Sequence, residues 1–489
     1  MMLNRFKLSS GMTLAMAVSA MSVLSACSMA PKYQQPTLIT APAFPSGAAM
    51  DQAGAVAAAN LGWQEYFADP RLRRLIALAL ENNQDMRVAV LNVEAVRAQY
   101  AIARADRLPS LAATGAGSKA RVAEDLSTIG RSYIAESYTV GLGVSSFELD
   151  LFGRVKSLSD EALNTYLAQE QSRDATQISL IASIAKAYFA ERIAQDNMNL
   201  SERVLKSREE SKRLTDLKFK AGVISAIDVN TAVSQIESAR SDYAAAERSR
   251  DQARNALALL IGQPLPNDLP AGSALTTQFI NSELPVGLPS EVLYQRPDVR
   301  QAEFALKSAN ANIGAARAAF FPKITLTGSV GSGSTELSNL FTGGNATWGF
   351  VPQITLPIFS WGANKANLDL AEVRKNIAVA QYEQTVQSAF RDVADALVAR
   401  RTLLQQYQAQ QRSDKAASER YRLVNMRFQH GISSSLDLLD AERTSYSSQQ
   451  ALLQTQQTLL ENRADLYKVL GGGLVSKTLS PESNSTVTQ

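Results

Sequence analysis

Residues 321–330 read FPKITLTGSV, and they mark the point where a helical pattern gives way to an alternating one. Successive side chains of an extended chain point to opposite faces. One face of this stretch carries Ile324, Leu326 and Val330. The other face carries Lys323, Thr325, Thr327 and Ser329. Such alternation predicts a β-strand with one apolar side.

A related stretch occurs earlier in the chain, where residues 108–111 read LPSL. It precedes Phe321 and the residues after it by 213 positions, and Gly222 precedes Gly431 by 209. Landmarks that recur in one order at nearly constant spacing indicate a tandem duplication. The predicted copies are residues 70–262 and 296–471.

Each copy is predicted to contain one helix, two strands and two further helices. The predicted strands are 108–118 and 138–152 in the first copy, and 322–333 and 347–359 in the second. A slip in the alternation at Ser145 and Ser146 indicates a β-bulge. The remaining segments are an N-terminal segment at 27–69, a linker or equatorial segment at 263–295, and a polar C-terminal tail at 472–489.

The longest predicted helices, residues 155–220 and 364–429, contain no proline. At ~1.5 Å per residue each would be on the order of 100 Å long, which far exceeds the ~30 Å thickness of a membrane core. The fold class is therefore α+β, with long helices attached to short two-faced strands.

The first 26 residues have the pattern of a bacterial signal peptide, in which charged residues precede an apolar stretch. Leu24 to Cys27 resembles a lipobox, in which Cys27 becomes the lipidated first residue. An ordinary secretory peptide with an incidental cysteine is the alternative. Ser28, in place of an aspartate, predicts sorting to the outer membrane, where acyl chains would anchor the protein in lipid. No later stretch approaches the ~20 apolar residues of a transmembrane helix.

The composition excludes several classes of function. Lys and Arg total 49 against 46 for Asp and Glu, without basic clusters, so no nucleic-acid partner is expected. Cys27 is the only cysteine and His430 the only histidine. We therefore expect no disulfide, no metal site, no cofactor and no enzymatic activity. We interpret His430 as a capping or solvent-facing residue, with a ligand or switch role as the alternative.

Strands of about ten residues with Trp and Tyr near their ends are typical of an outer-membrane barrel. Four strands are too few to close a barrel, and open edges are not tolerated in lipid. Several chains would therefore pool their strands, eight from two chains or twelve from three. A soluble sandwich is the alternative, but it would carry short strands at regular spacing along the chain.

Two motifs point to a family. Residues 295–303 read QRPDVRQAE and lead into ANANIGAARAAFFP at 309–322, while FELDLFGR occupies 147–154. With the lipobox, these motifs resemble the outer membrane factors of the TolC superfamily, in its lipoprotein efflux branch. The resemblance implies an α+β membrane protein that forms a homotrimer, with a 12-stranded β-barrel continuous with a long α-helical barrel.

The resemblance also implies a function. The trimer would passively conduct drugs or other small molecules out of the cell, with a periplasmic adaptor protein and an inner-membrane RND pump as partners. A protein-secretion duct of the same superfamily and a structural coiled-coil lipoprotein are the alternatives.

The two helix reversals are predicted to form periplasmic tips that dock the adaptor. In each, a glycine suits a left-handed helix cap. An S-x-x-D pattern then suits a capping box, which gives Asp228 and Asp437 a structural role. The candidate docking residues are Gly222, Val223, Ser225, Gly431, Ile432 and Ser434.

Asp440 lies beyond the capping box, and the corresponding position of the first copy is Thr231. Leu436 and Asp440 share one helix face, because they are four residues apart. The resemblance implies that these two positions constrict the channel, and a solvated surface residue is the alternative for Asp440. Neutralisation of Asp440 is expected from Arg427 or Arg443. Two further positions that the resemblance assigns to the closed state are Arg427 and Phe428.

Overall fold

A computed structural model describes residues 28–37, 62–273, 275 and 290–472 of the chain. The chain divides into two compact units. The sheet unit comprises Met1–Thr37, Asn92–Glu170 and Gln301–Glu383. The helical unit comprises Leu38–Leu91, Gln171–Arg300 and Gln384–Gln489. The predicted signal peptide, Cys27 and the tail beyond residue 472 lie outside the described residues.

The sheet unit contains one antiparallel four-stranded sheet in the order β1-β2-β3-β4. Its strands are β1 Leu111–Val122, β2 Tyr133–Leu149, β3 Lys323–Ser334 and β4 Ala346–Thr355. The central pair, β2 with β3, joins the two copies of the repeat. Within the described part of the chain, the outer edges of β1 and β4 have no strand partner.

Glycine permits the close approach of β2 and β3. Gly141 and Gly331 are register partners. A Cβ on Gly141 would lie 2.7 Å from the Val330 carbonyl oxygen, and one on Gly331 would collide with the Val140 carbonyl. The predicted bulge is confirmed, because the register shifts between Val144 and Phe147, where Ser146 has a φ of 53°.

The strand ends differ from the predicted ones. β1 continues to Val122, because the polar residues after 118 still pair with β2, and Lys119 forms a 2.5 Å ion pair with Glu136. The predicted strand 138–152 begins earlier and ends at Leu149, since the chain turns before Gly153, whose φ is 70°.

β4 also ends early, at Thr355 and not at residue 359. The alternating pattern continues through Leu356 and Ile358, but Pro357 between them has no N–H to donate to a neighbouring strand. Alternation in the sequence therefore extends beyond the hydrogen-bonded ladder.

The helices of the described residues follow the predicted order in both copies. They are α1 Trp63–Tyr66, α2 Pro70–Asn82, α3 Gln84–Ala105, α4 Arg154–Lys220, α5 Ala226–Ile261, α6 Pro297–Ala318, α7 Ala363–Gln429 and α8 Ser435–Val469. α4 and α7 each have 67 residues. The one helix predicted before the strands of the first copy is divided at Asn83, where ψ is 130° and the side chain accepts a hydrogen bond from Met86 N.

Within the part of the chain that the structure describes, no helix combines the length and the apolar character needed to cross a membrane.

The core of the helical unit is centred on buried aromatic residues. Tyr66 and Phe67 pack edge to face, and both rings contact Tyr467 of α8. Beside them Asp69 is fully buried, yet its carboxylate is satisfied, because it caps α2 and accepts hydrogen bonds from Tyr188 Oη and Ser273 N. This network fixes the start of the repeat against α4 and against the segment that follows α5.

Candidate helical tips and gate

Both helix reversals close with the same backbone geometry. Gly222 and Gly431 have φ values of 74° and 73°. The N–H of Val223 donates to the Lys218 carbonyl at 2.9 Å, and that of Ile432 donates to the Arg427 carbonyl at 2.8 Å. This is the Schellman pattern, which requires a residue in the left-handed region.

The return helices α5 and α8 begin with matching capping boxes. Ser225 N donates to Asp228 Oδ2, and Ser434 N donates to Asp437 Oδ2, each at 3.0 Å. The hydrogen bonds from Ser434 hold the pKa of Asp437 below its ordinary value. The predicted capping roles of Asp228 and Asp437 are therefore confirmed.

The tips present apolar side chains to solvent. Val223 and Ile227 of the first reversal are 72% and 77% exposed, and Ile432 and Leu436 of the second are 66% and 74% exposed. Large apolar side chains clustered at the end of a helical hairpin are unfavourable in water, and exposed clusters of this kind mark interaction surfaces.

Asp440 is held by two arginines. Arg420 Nη2 on α7 donates to Asp440 Oδ2 at 2.7 Å, and Arg443 Nη2 on α8 donates to Oδ1 at 3.2 Å. The hydrogen bond from Arg420, followed by that from Arg443, lowers the pKa of the Asp440 carboxyl. The carboxylate is therefore charged at neutral pH and ties α8 to α7.

Arg427, one of the two predicted partners of Asp440, acts within the chain on a different carboxylate. Its charge lowers the pKa of Asp437 instead, and Arg420, about two helical turns earlier on α7, makes the contact with Asp440. Arg443, the other predicted partner, does contact Asp440. Phe428 lies under a cation of the first copy, with Lys218 Nζ 5.1 Å from its ring centroid.

A nearly buried ion pair that the sequence did not predict involves Glu442, two residues after Asp440 on α8. Arg208 Nη2 of α4 is 3.1 Å from Glu442 Oε2, and Ser207 Oγ donates to Oε1 at 3.2 Å. Both charged side chains are almost buried. Burial raises the pKa of Glu442 above its ordinary value, and the attraction of Arg208 opposes that rise.

A cavity of about 390 Å³ separates α4, α5 and α8 at this level. Leu436, Asp440 and Arg443 line it from α8, Arg208 from α4 and Asp242 from α5. The structure therefore gathers the predicted gate residues Leu436 and Asp440 and the unpredicted Arg208 around one polar space.

Comparison of the two copies shows that the charged residues that α7 and α8 contribute to these contacts have no charged equivalents in the first copy. In the first copy, the positions equivalent to Arg420, Asp440 and Arg443 are Ser211, Thr231 and Ser234. Glu442 corresponds to Val233. The same comparison that singled out Asp440 would have found its partners, because each charge is present in one copy only.

Among the described residues, no group of three or more His, Cys, Asp or Glu side chains is arranged to hold a metal ion.

Known proteins similar to this chain match it over nearly its full length. The family model for outer membrane efflux proteins matches residues 75–263 and 288–472, one match in each copy. The probable efflux pump outer membrane protein TtgC of Pseudomonas putida is 47% identical over 97% of this chain and 98% of that protein. The outer membrane protein OprJ of Pseudomonas aeruginosa is 44% identical over 94% and 96% of the two chains.

Solved structures agree with these matches. The open state of the MtrE outer membrane channel of Neisseria gonorrhoeae is 53% identical, covers 92% of this chain and 99% of its own, and superposes with a TM-score of 0.83. CusC is 38% identical, covers 91% and 100% of the two chains, and gives a TM-score of 0.81. Since both repeats match and the relatives are covered almost completely, the chain belongs to the outer membrane efflux protein family.

Proposed function

We propose that three copies of this chain form the outer-membrane exit channel of a tripartite efflux pump. The observation that carries the proposal is the isolated four-stranded sheet, whose β1 and β4 edges lack strand partners within the described residues. Unpaired edges are too costly in lipid, so the strands must join those of other chains. Three chains give the 12-stranded β-barrel, continuous with a long α-helical barrel.

The outward-facing residues of β4 support this placement. Trp348, Phe350 and Ile354 are 82%, 61% and 68% exposed. Large apolar side chains exposed to this extent are unfavourable in water and favourable in contact with lipid. The cell outer membrane is therefore the proposed location, and acylation of Cys27 would add a lipid anchor.

The channel is proposed to be a passive duct that works with a periplasmic adaptor protein and an inner-membrane RND pump. Relatives 47% identical to this chain are named as the outer membrane proteins of an antibiotic efflux pump and a toluene efflux pump of Pseudomonas putida. Small, largely apolar organic molecules are accordingly the proposed cargo, and the pump supplies the energy.

The gate is proposed to lie at the helical tips, where Leu436 narrows the path and Asp440 places a ring of carboxylates. The Asp440–Arg420 pair holds α8 to α7, and the Arg208–Glu442 pair holds α8 to α4. Both pairs would have to yield or move if α8 swung outward. Arg427 and Phe428 support the closed tip through Asp437 and Lys218.

The adaptor is proposed to dock on the exposed reversals. Because the two reversals share one turn geometry, each chain presents two similar apolar tips, and a trimer presents six. Such an arrangement suits an adaptor that binds several times around a ring. The docking residues are Gly222, Val223, Ser225, Gly431, Ile432 and Ser434.

The proposal is tested by the mass and conductance of the purified protein. Native mass spectrometry from detergent is expected to give a trimer, and the trimer is expected to insert into planar bilayers and conduct ions. The channel assignment would be refuted if the purified protein is a monomer or dimer that does not conduct ions and if its gene also fails to complement an efflux-deficient strain. The N-terminal peptide is expected to carry an acylated Cys27, and an unmodified terminus would refute the anchor alone.

A further inference from the structure

We propose that a notch at Gly314 seats the N-terminal segment 28–37 and thereby fixes the N-terminus to the sheet unit. We call this segment the strap. Where the inference concerns lipid, it rests on the acylation of Cys27 proposed above. The notch, by contrast, stands on contacts among described residues.

Gly314 lies within α6 and is buried, although glycine is among the least favourable residues in a helix interior. Its backbone conformation does not demand glycine, but its surroundings do. A Cβ at this position would lie 2.7 Å from Ala30 N and 2.9 Å from Ala30 Cα, and it would also collide with Ser157 Oγ of α4. Gly314 therefore leaves room for the strap to pass against α6.

The strap runs antiparallel to α6, and further polar contacts join the two segments. Buried Asn310 donates from Nδ2 to the Pro31 carbonyl at 2.8 Å. Farther along, Tyr33 Oη donates to Glu303 Oε1 at 3.4 Å, and Lys307 Nζ lies 5.2 Å from the Tyr33 ring centroid.

The far end of the strap is also held, because Gln35 Nε2 donates to the hydroxyl of fully buried Tyr382 at 3.1 Å. Four of the six strap positions from 30 to 35 thus have specific partners, although the strap has no helix or strand of its own. A segment that followed the surface by chance would not make a regular series of contacts with one helix.

The duplication provides an internal control. The first-copy equivalents of Gly314 and Asn310 are Ala101 and Arg97, both exposed. Glu303 and Lys307 correspond to Val90 and Glu94. The helix of the first copy therefore lacks the notch, the buried amide and the cation under the tyrosine. Only the copy that carries the strap has acquired residues to hold it.

The notch limits where the lipid anchor can reach. Ala30 is three positions after Cys27 in the sequence, and three residues of fully extended chain span at most about 11 Å. Docking of the strap thus makes the proposed lipid anchor a short tether to the sheet unit.

Limited trypsin proteolysis of the full-length trimer tests the notch directly, because Lys32 lies inside the strap between Pro31 and Tyr33. Cleavage after Lys32 requires the strap to leave its groove. Gly314→Ala is expected to raise the initial rate of this cleavage roughly tenfold or more, as overpacking commonly does to a local equilibrium. Asn310→Ala, which adds no atoms, is expected to raise it several-fold.

Two variants separate the strap from ordinary helix packing. Ser308→Ala removes hydroxyl contacts between α6 and α4 without touching the strap, and its cleavage rate is expected to match the wild type. Ser157 Oγ has no hydrogen-bond partner among the residues that the structure describes. Gly314→Ala combined with Ser157→Ala therefore relieves the collision with α4 and is expected to remain susceptible.

Wild-type cleavage rates in Gly314→Ala and Asn310→Ala would overturn the notch, as would rapid cleavage of the wild type itself. Equal increases in Ser308→Ala would also overturn it, because the effect would then belong to helix packing. Mass spectrometry of the released N-terminal peptide reports acylation separately. An unacylated peptide released at the predicted rates would refute the anchor and leave the notch standing.

Discussion

Asn83 and Arg296 donate hydrogen bonds to equivalent carbonyl groups in the two copies of the repeat. Asn83 Nδ2 lies 2.8 Å from the Leu260 oxygen, and Arg296 Nη1 lies 2.9 Å from the Val469 oxygen. Asn83 directly precedes α3 and Arg296 directly precedes α6, while Leu260 and Val469 lie at the C-terminal ends of α5 and α8. In each copy a different side chain therefore makes an equivalent hydrogen bond, and that hydrogen bond holds the two ends of the copy together.

Loss of either donor is expected to destabilise the protein. Asn83 is buried, so Asn83→Ala leaves the Leu260 carbonyl unsatisfied and is expected to cost about 1–3 kcal/mol. Arg296→Ala is expected to cost more, because Arg296 also forms a 2.7 Å ion pair with Asp298. Thermal unfolding of the detergent-solubilised trimer measures both, with exposed Arg87→Ala as the control. Equal midpoints of thermal unfolding for Arg296→Ala and Arg87→Ala would contradict the stabilising role of the hydrogen bond from Arg296.

The tip glycines are expected to matter for docking and little for assembly. No atom of the described part of the chain lies within 4 Å of a Cβ placed on Gly431, but its φ of 73° penalises any larger residue. Gly431→Val is expected to distort the reversal and to abolish cross-linking to the adaptor, while trimers still form. Gly343→Val is the matched control, since its surroundings are equally open and its φ is not positive. Normal cross-linking of Gly431→Val would remove the reversal from the docking surface.

The pH dependence of the gate is expected to come from Glu442. The pKa of Glu442 lies above its ordinary value of 4.5 while the residue is buried. If opening exposes Glu442 to water, the closed state binds the proton more tightly, so acidification from pH 7 towards about 5 favours closure. The pKa of Asp440 is below its ordinary value of 3.8, so its contacts with Arg420 and Arg443 persist throughout this range.

Single-channel recordings at several pH values measure this effect. The open probability of the wild type is expected to fall as the pH is lowered towards 5, and the dependence is expected to disappear in Glu442→Gln. An unchanged pH profile in Glu442→Gln would assign the proton to another group.

The long helices could be predicted from the sequence, because neither 67-residue stretch contains a proline that would interrupt a helix. Periodicity also located the bulge near Ser146, where the apolar face of β2 changes register. Strand ends were less predictable, since Lys119 and Pro357 act through pairing and a missing N–H, which alternation does not show.

The partners of Asp440 and Glu442 depend on which helices are neighbours. Arg420 and Asp440 lie on different helices, and Arg208 and Glu442 come from different copies. The sequence offered Arg427 and Arg443 as partners of Asp440, and Arg443 lies within one turn of it on the same helix. The register of α7 against α8 decides for Arg420, and that register becomes known only once the hairpin is built.

The most direct test of the account is the single-channel conductance of the isolated trimer carrying Asp440→Ala. Removal of this carboxylate frees Arg420 and Arg443 and releases α8 from α7. We expect a higher conductance than in the wild type, and a larger rise when Leu436→Ala is added. Thr231→Ala, the same change at the equivalent position of the first copy, is expected to leave conductance unaltered. If an assembled Asp440→Ala trimer conducts like the wild type and like Thr231→Ala, the gate does not lie at Asp440.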